Sequence, residues 1–88
     1  MRIIWDAVKN RKLKLDRGVG FEEAASCILK GEILDFIKNP AHPGQFYFVM
    51  ILKEYTHVVP FVIGQDEEII LKTIFPSRKF DKLYRRKK

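Results

Sequence analysis

The stretch I-I-L-K-T-I-F-P-S-R-K-F-D-K-L-Y, residues 69–84, decides the fold that we predict for this chain. Ile69 to Phe75 alternates as a strand does, with residues 69, 71, 73 and 75 facing one way and residues 70, 72 and 74 the other. Pro76 has no amide to donate to a ladder, and Ser77 is a good helix cap. Three side chains then share one helical face: Phe80, Leu83 and Tyr84. The stretch predicts a last strand, a corner and a closing helix.

Positive charge is concentrated in this closing segment. Residues 77–88 hold seven Lys or Arg and one Asp, which gives +6, the formal net charge of the whole chain. Residues 1–76 hold ten basic and ten acidic residues. A polyanion would therefore meet the closing end first, and this pattern indicates RNA or DNA as the partner.

Length and composition are those of one small globular domain. We assign residues 1–84 to the domain and residues 85–88 to a basic tail. The longest apolar runs, Phe46 to Leu52 and Val58 to Ile63, are much shorter than the roughly 18 residues that a membrane helix needs, so no membrane partner is predicted. The start of the chain has no signal-peptide pattern, and the single cysteine, Cys27, cannot form an internal disulfide. These features favour the cytoplasm.

Two helices are predicted in the first third of the chain. Asp6 is a good N-cap for a surface helix over Ala7 to Asp16, whose weak apolar face is formed by Val8 and Leu15. Gly18 suits the left-handed residue that closes a helix, and Gly31 ends the second one. The second helix has its apolar residues at helical spacing: Phe21, Ala24, Ala25, Ile28 and Leu29.

Strands are predicted over the remainder, before the closing helix. We assign them to Glu32–Ile37, Phe46–Lys53, His57–Ile63 and Ile69–Phe75, with a hairpin turn at residues 54–56 and a loop at residues 38–45. Pro60 implies a free edge or a bulge in its strand. The order is β-α-α-β-β-β-β-α, which predicts an α+β fold with an antiparallel sheet of four to five strands, two N-terminal helices and a C-terminal helix.

Two motifs are similar to those of a known family. Trp5-Asp6 with Lys9, then residues 17–24 (R-G-V-G-F-E-E-A), resemble the W-D-x-x-K and H-G-V-S-F-E-E-A motifs of BrnT, a family of type II toxins. Ser77-Arg78-Lys79 resembles the family's A-R-[RK] at the start of the closing helix. Three of the departures from the family matter most: Leu13, Arg17 and Tyr84.

The resemblance implies a RelE-like fold and an RNA-cleaving toxin. It also implies a hetero-oligomer with a small DNA-binding antitoxin of the BrnA-like, ribbon-helix-helix kind. Operator DNA would then be bound only through the antitoxin. RNA would be the substrate.

Metal-free cleavage of RNA needs cations for the charge that develops on phosphorus and groups that move protons. Arg78 is the predicted phosphate clamp, because a guanidinium can bind two oxygens at once. The other candidate catalytic residues are Lys79, Lys72, Tyr84 and His57. The candidate RNA-binding residues are Lys82, Arg85, Arg86 and Lys9. No metal spacing or cofactor motif is present in the sequence, so we predict neither a metal nor a cofactor.

The candidates other than Arg78 have structural alternatives, whereas an Arg in the first turn of a helix opposes the dipole unless an anion lies close by. Lys72 could project from a sheet edge, the tail could serve solubility, and Tyr84 could pack in the core with Phe80. The leading hypothesis is a metal-independent endoribonuclease toxin. The alternative is a non-catalytic module that binds nucleic acid or docks a protein.

Overall fold

The computed structural model describes residues 2–85, with the backbone alone for Arg85. The strands in this range are β1 (Ile3–Ile4), β2 (Asp35–Lys38), β3 (Gln45–Leu52), β4 (Tyr55–Ile63), β5 (Ile69–Leu71) and β6 (Phe75–Pro76). The helices in this range are α1 (Ala7–Arg17), α2 (Phe21–Lys30) and α3 (Arg78–Arg85). The predicted α+β class and element order are confirmed. The last predicted strand is divided into β5 and β6, and α3 ends at Arg85, the first residue of the predicted tail.

All of these strands belong to one sheet, in the order β1-β5-β4-β3-β2, and β6 pairs with β4. The first strand is parallel to β5, while the other pairs are antiparallel. The sheet is therefore mostly antiparallel, with β2 and β1 at its two edges. None of the helices in residues 2–85 is long and apolar enough to cross a lipid bilayer.

Helices cover both faces of the sheet. On one face α2 packs against alternate residues of β3 and β4 in the main core, which includes Phe21, Ala24, Ile28, Phe48, Met50, Val59, Phe61 and Leu71. On the opposite face α3 lies over the other set of alternate residues. Val49 and Val58 are register partners there and are both fully buried. The sheet thus separates α1 and α2 from the basic helix α3.

The contact between α1 and α2 depends on a buried asparagine. Asn10 accepts a hydrogen bond from the amide of Phe21 (2.7 Å) and donates one to Glu22 (3.0 Å). The residue before α2 is a glycine with no side chain, so Asn10 supplies the missing cap from another helix. The helix α1 lies on the surface, as predicted, and the two residues of its weak apolar face, Val8 and Leu15, are 67% and 81% exposed. Leu13 is the apolar residue of α1 that is buried.

The β3–β4 hairpin turns one residue earlier than predicted. Its two turn residues, Lys53 and Glu54, both have positive φ (52° and 64°), as a two-residue type I′ turn requires. The pairing therefore begins at Leu52 with Tyr55, and β4 includes residues that we had predicted to be in the turn. This register decides which side chains of β4 face α3.

A bulge between β5 and β6 reverses the predicted facing of the last strand. Leu71 and Ile74 both lie in the main core, although strict alternation would place them on opposite faces. Phe75 is the register partner of Val58 and so lies on the α3 face. The bulge lies beside Pro60, whose carbonyl accepts from the amide of Lys72 (2.9 Å) and which has no amide to give in return. The predicted bulge in the strand of Pro60 itself is not observed, because β4 pairs with β3 in an unbroken register; the irregular residues, 72–74, belong to the neighbouring strand.

Candidate nucleic-acid interface

Ser77 fixes the start of α3 to the sheet. Its amide donates to the carbonyl of Thr56 on β4 (3.0 Å). Its hydroxyl accepts from the amide of Phe80 (3.2 Å), and its carbonyl accepts from the amide of Asp81 (3.0 Å). These bonds satisfy amides of the first turn, which otherwise have no partner inside the helix. The predicted capping role of Ser77 is confirmed.

Two side-chain hydrogen bonds hold the remainder of α3 against the sheet. The fully buried Thr56 donates its hydroxyl proton to Asp81 Oδ1 at 2.7 Å. The Tyr84 hydroxyl donates to Asp35 Oδ2 on the edge strand β2. The helix therefore crosses the sheet from β4 to β2, with one side-chain anchor at its middle and one near its end.

The Tyr84–Asp35 bond changes the acidity of both groups. It lowers the pKa of Asp35, and the backbone amide of Phe36 lowers it further. It raises the pKa of Tyr84, because the phenol proton is held by a carboxylate. Tyr84, a predicted catalytic residue, thus has its hydroxyl engaged in positioning α3.

Only two members of the predicted packing stripe contact the protein closely. Phe80 and Tyr84 are half-buried, and their rings stack at a centroid distance of 5.9 Å. Leu83 is 52% exposed, so its predicted docking role was wrong. With Asp81 and Tyr84 both anchored to the sheet, the turn of α3 leaves Leu83 on the outer side.

Three cations project from α3 into solvent: Arg78, Lys79 and Lys82. Arg78 and Lys79 form the first turn, at the positive end of the helix dipole, where an anion is favoured. The Lys79 ammonium lies 5.5 Å from the centroid of the Phe80 ring. The ion pairs observed within residues 2–85, Lys14–Glu22 and Lys53–Glu23, involve none of these cations. The start of α3 is thus a positively charged, accessible surface.

Lys72 lies on the same face of the sheet, but at a distance from the start of α3. It is exposed and follows Leu71, which faces the main core. Its amide bonds to Pro60, whereas the amide of Ser77 bonds to Thr56, four residues away along β4. At about 3.3 Å per residue, the two backbone positions are roughly 13 Å apart. Lys72 and Arg78 are therefore spread along one face and do not converge on a single corner.

Between them the sheet face is lined by a tyrosine. Tyr47 is the register partner of Pro60 and is half-buried. Its ring meets Phe75 edge-on at 6.5 Å. The alternation of β3 could have identified this position, because Tyr47 lies between Phe46 and Phe48, which face the other way. A phenol therefore joins Lys72 on the open part of this face.

His57 is not on this face. Its side chain is only 6% exposed, and it alternates with Thr56 and Val58, which lie under α3. The imidazole Nδ1 is 2.9 Å from the carbonyl O of Tyr55, and the ring meets that of Tyr55 edge-on. Although its backbone pairs with Pro76, its side chain points to the opposite side of the sheet from Arg78. The structure does not bring His57 together with the other predicted catalytic residues.

Lys9 is also apart from α3. It lies on α1, on the other side of the sheet, and lines a surface cavity of about 430 Å³ with Lys12, Arg17 and Asp16. The guanidinium of Arg17 donates to the carbonyl of Ile74 at 3.2 Å, which ties the end of α1 to the bulge. A second cavity of about 440 Å³ lies beside α2 and the β3–β4 turn. Neither of these cavities is lined by the α3 cations or Lys72.

The remaining predicted RNA-binding groups are Lys82, which is exposed on α3, and two arginines near the end of the chain. The side chain of Arg85 and the whole of Arg86 lie outside the described residues. Within residues 2–85, no group of three or more His, Cys, Asp or Glu side chains is arranged to hold a metal ion.

The fold and this surface together define a small α+β domain with a basic helix docked across an otherwise neutral sheet. No family model, curated protein or solved structure matches the chain.

Proposed function

We propose that this chain is the toxin of a type II toxin–antitoxin pair and acts as a metal-independent endoribonuclease. One observation supports the proposal most directly. The segment that carries the whole net charge begins on α3, with Arg78, Lys79 and Lys82 exposed on a helix that two hydrogen bonds anchor to the sheet. A rigidly held set of cations is suited to binding a phosphodiester backbone.

The chemistry follows from what such a surface offers to RNA. The ribose 2′-oxygen attacks phosphorus, the bond from phosphorus to the 5′-oxygen breaks, and a 2′,3′-cyclic phosphate and a 5′-hydroxyl are released. Arg78 binds the phosphate oxygens on which charge develops. Lys79, Lys72 and Tyr47 are the candidates to remove the 2′-hydroxyl proton and to protonate the leaving oxygen. Tyr84 acts as a positioning residue, because its hydroxyl is held by Asp35.

The partners in this proposal come from the resemblance to BrnT. A small antitoxin of the ribbon-helix-helix kind would cover the toxin in a hetero-oligomer and bind operator DNA. The toxin itself would contact RNA and not DNA. Its substrate places it in the cytoplasm.

The test is cleavage of a labelled RNA in the presence of EDTA. We expect the wild-type chain to cleave the RNA and Arg78→Ala to cleave it about 100-fold more slowly or worse, as for the loss of one group that stabilises a transition-state anion. Arg11→Ala is the matched control, because it removes the same charge from an exposed position on α1. Equal activity of the two variants would remove Arg78 from the mechanism.

A second candidate function is RNA binding without cleavage. It is favoured by the roughly 13 Å between the backbones at Lys72 and Ser77, since cations spread along a face suit successive phosphates. The same assay separates the two functions. Binding whose affinity falls steeply with salt, with no product formed by the wild-type chain, would support this candidate against the nuclease.

A further inference from the structure

The edge strand β2 presents an aromatic ring whose setting is unusual for an exposed side chain. Phe36 is 53% exposed, yet its ring centroid lies 5.7 Å from that of Phe46, 5.6 Å from that of Phe48 and 5.7 Å from that of Phe61. Phe48 and Phe61 themselves stack at 4.2 Å in the main core. The core therefore supports one side of the Phe36 ring, while the other side is open to solvent.

A strand from another chain would not pair readily beside this ring. The amide of Asn39 donates to the carbonyl of Gln45. Backbone amides along β2 point alternately toward β3 and away from it, so the amide of Phe36, three residues before Asn39, points away from the sheet. That amide is already occupied, because it donates to Asp35 Oδ1 at 2.7 Å. The same carboxylate accepts from Tyr84 through its other oxygen. Strand addition would have to break the bond from the Phe36 amide to Asp35, the carboxylate that also anchors α3, which disfavours an added strand as the occupant of this edge.

A cation on the same face of β2 as the ring suits a polyanion. Lys38 is exposed, lies two residues after Phe36 on the same face of β2, and is the register partner of Phe46. The Tyr84–Asp35 bond brings the end of α3 to this same strand. Four consecutive basic residues, 85–88, follow Tyr84 in the sequence. The ring thus lies on the same edge strand to which Tyr84 anchors the end of α3.

We propose that Phe36 is a stacking platform for an unpaired base of single-stranded RNA. A base can stack on the open side of a ring that is already fixed by its neighbours, and Lys38 is placed to contact the adjoining phosphate. The inference rests on the proposed function only in that RNA is the ligand. It adds a second contact point, on the opposite side of β2 from α3, and so implies that the RNA passes around this edge.

The experiment measures binding of a labelled 2′-O-methyl oligoadenylate of about ten nucleotides by fluorescence anisotropy. This strand lacks the 2′-hydroxyl and cannot be cleaved by the proposed route. Phe36→Leu keeps an apolar side chain but removes the ring, and we expect its Kd to rise about 5- to 140-fold, the range for loss of one base–aromatic stack. Phe36→Trp should bind at least as tightly as the wild type. Leu15→Ala is the control, because Leu15 is also exposed but lies on α1.

An abasic oligonucleotide, which has the same phosphates and no bases, tests the stacking itself. The wild type and Phe36→Leu should bind this abasic strand equally. If Phe36→Leu binds the oligoadenylate as the wild type does, the platform is refuted and the ring is a protein-docking residue or a cover for the core. Thermal unfolding of each variant confirms that it is folded.

Cleavage of a diribonucleotide separates this inference from the proposed nuclease. Such a substrate is too short to extend from Arg78 to Phe36, so Phe36→Leu should cleave it normally while Arg78→Ala should not. If the wild type binds the oligoadenylate in a ring-dependent way but cleaves nothing, the nuclease fails and the platform stands. If the wild type cleaves RNA and the loss of the ring leaves binding unchanged, the platform alone fails.

Discussion

Replacing Thr56 with Val tests whether one buried hydrogen bond holds the basic helix in place. The substitution keeps the branched shape of the side chain and removes the hydroxyl that donates to Asp81 at 2.7 Å. A hydrogen bond to a charged group contributes about 1.5–3 kcal/mol. Asp81 is half-buried and its carboxylate can regain water, so we take the lower end, about 1.5 kcal/mol.

The change should be visible in the melting temperature. The entropy of unfolding, about 2.1 cal/mol/K per residue, amounts to about 0.18 kcal/mol/K for 88 residues. A loss of about 1.5 kcal/mol then lowers Tm by about 8 °C. Differential scanning calorimetry measures this shift. Hydrogen exchange of the α3 amides should also accelerate more than that of the α2 amides, because the lost bond holds α3 to the sheet and does not involve α2.

Thr73→Val is the matched control. Thr73 is also half-buried but makes no side-chain hydrogen bond within residues 2–85, so its replacement should change stability by no more than about 0.5 kcal/mol. If Thr56→Val melts at the same temperature as Thr73→Val, the bond to Asp81 does not secure α3. The rigid presentation of Arg78 would then need another explanation.

Two further predictions concern the other polar anchors. Asn10→Ala leaves the buried amide of Phe21 without a partner and should cost about 1–3 kcal/mol, measured by urea denaturation; a loss below about 0.5 kcal/mol would contradict its capping role. Tyr84→Phe should reduce the pH dependence of stability at both ends of the range. Because folding lowers the pKa of Asp35, its contribution is present above the carboxyl's ordinary pKa and is lost as the pH falls through the lowered value. Because folding raises the pKa of Tyr84, its contribution is present below the phenol's ordinary pKa and is lost as the pH rises through the raised value. Unfolding curves of both proteins at acidic, neutral and alkaline pH measure the difference, and parallel profiles would contradict the bond.

The sequence by itself determined the elements and their order. The helical spacing of Phe21, Ala24 and Ile28 identified α2, because the periodicity of one amphipathic helix is a local property. Ser77 could be identified as a cap for the same reason. The concentration of cations after residue 76 was also visible without coordinates, since charge along a chain needs only counting.

Only the tertiary structure decided which side chains share a face. A bulge at residues 72–74 places Ile74 in the core and Phe75 under α3, and no local pattern shows where a strand will bulge. The same applies to His57, which strand pairing directs into the protein, and to Asp35, whose bond to Tyr84 joins residues far apart in the chain. Side chains alternate across a strand, so a shift of one residue in the pairing moves each of them to the opposite face. Register and long-range contacts are set by the packing of the whole sheet, and the candidate site depends on both.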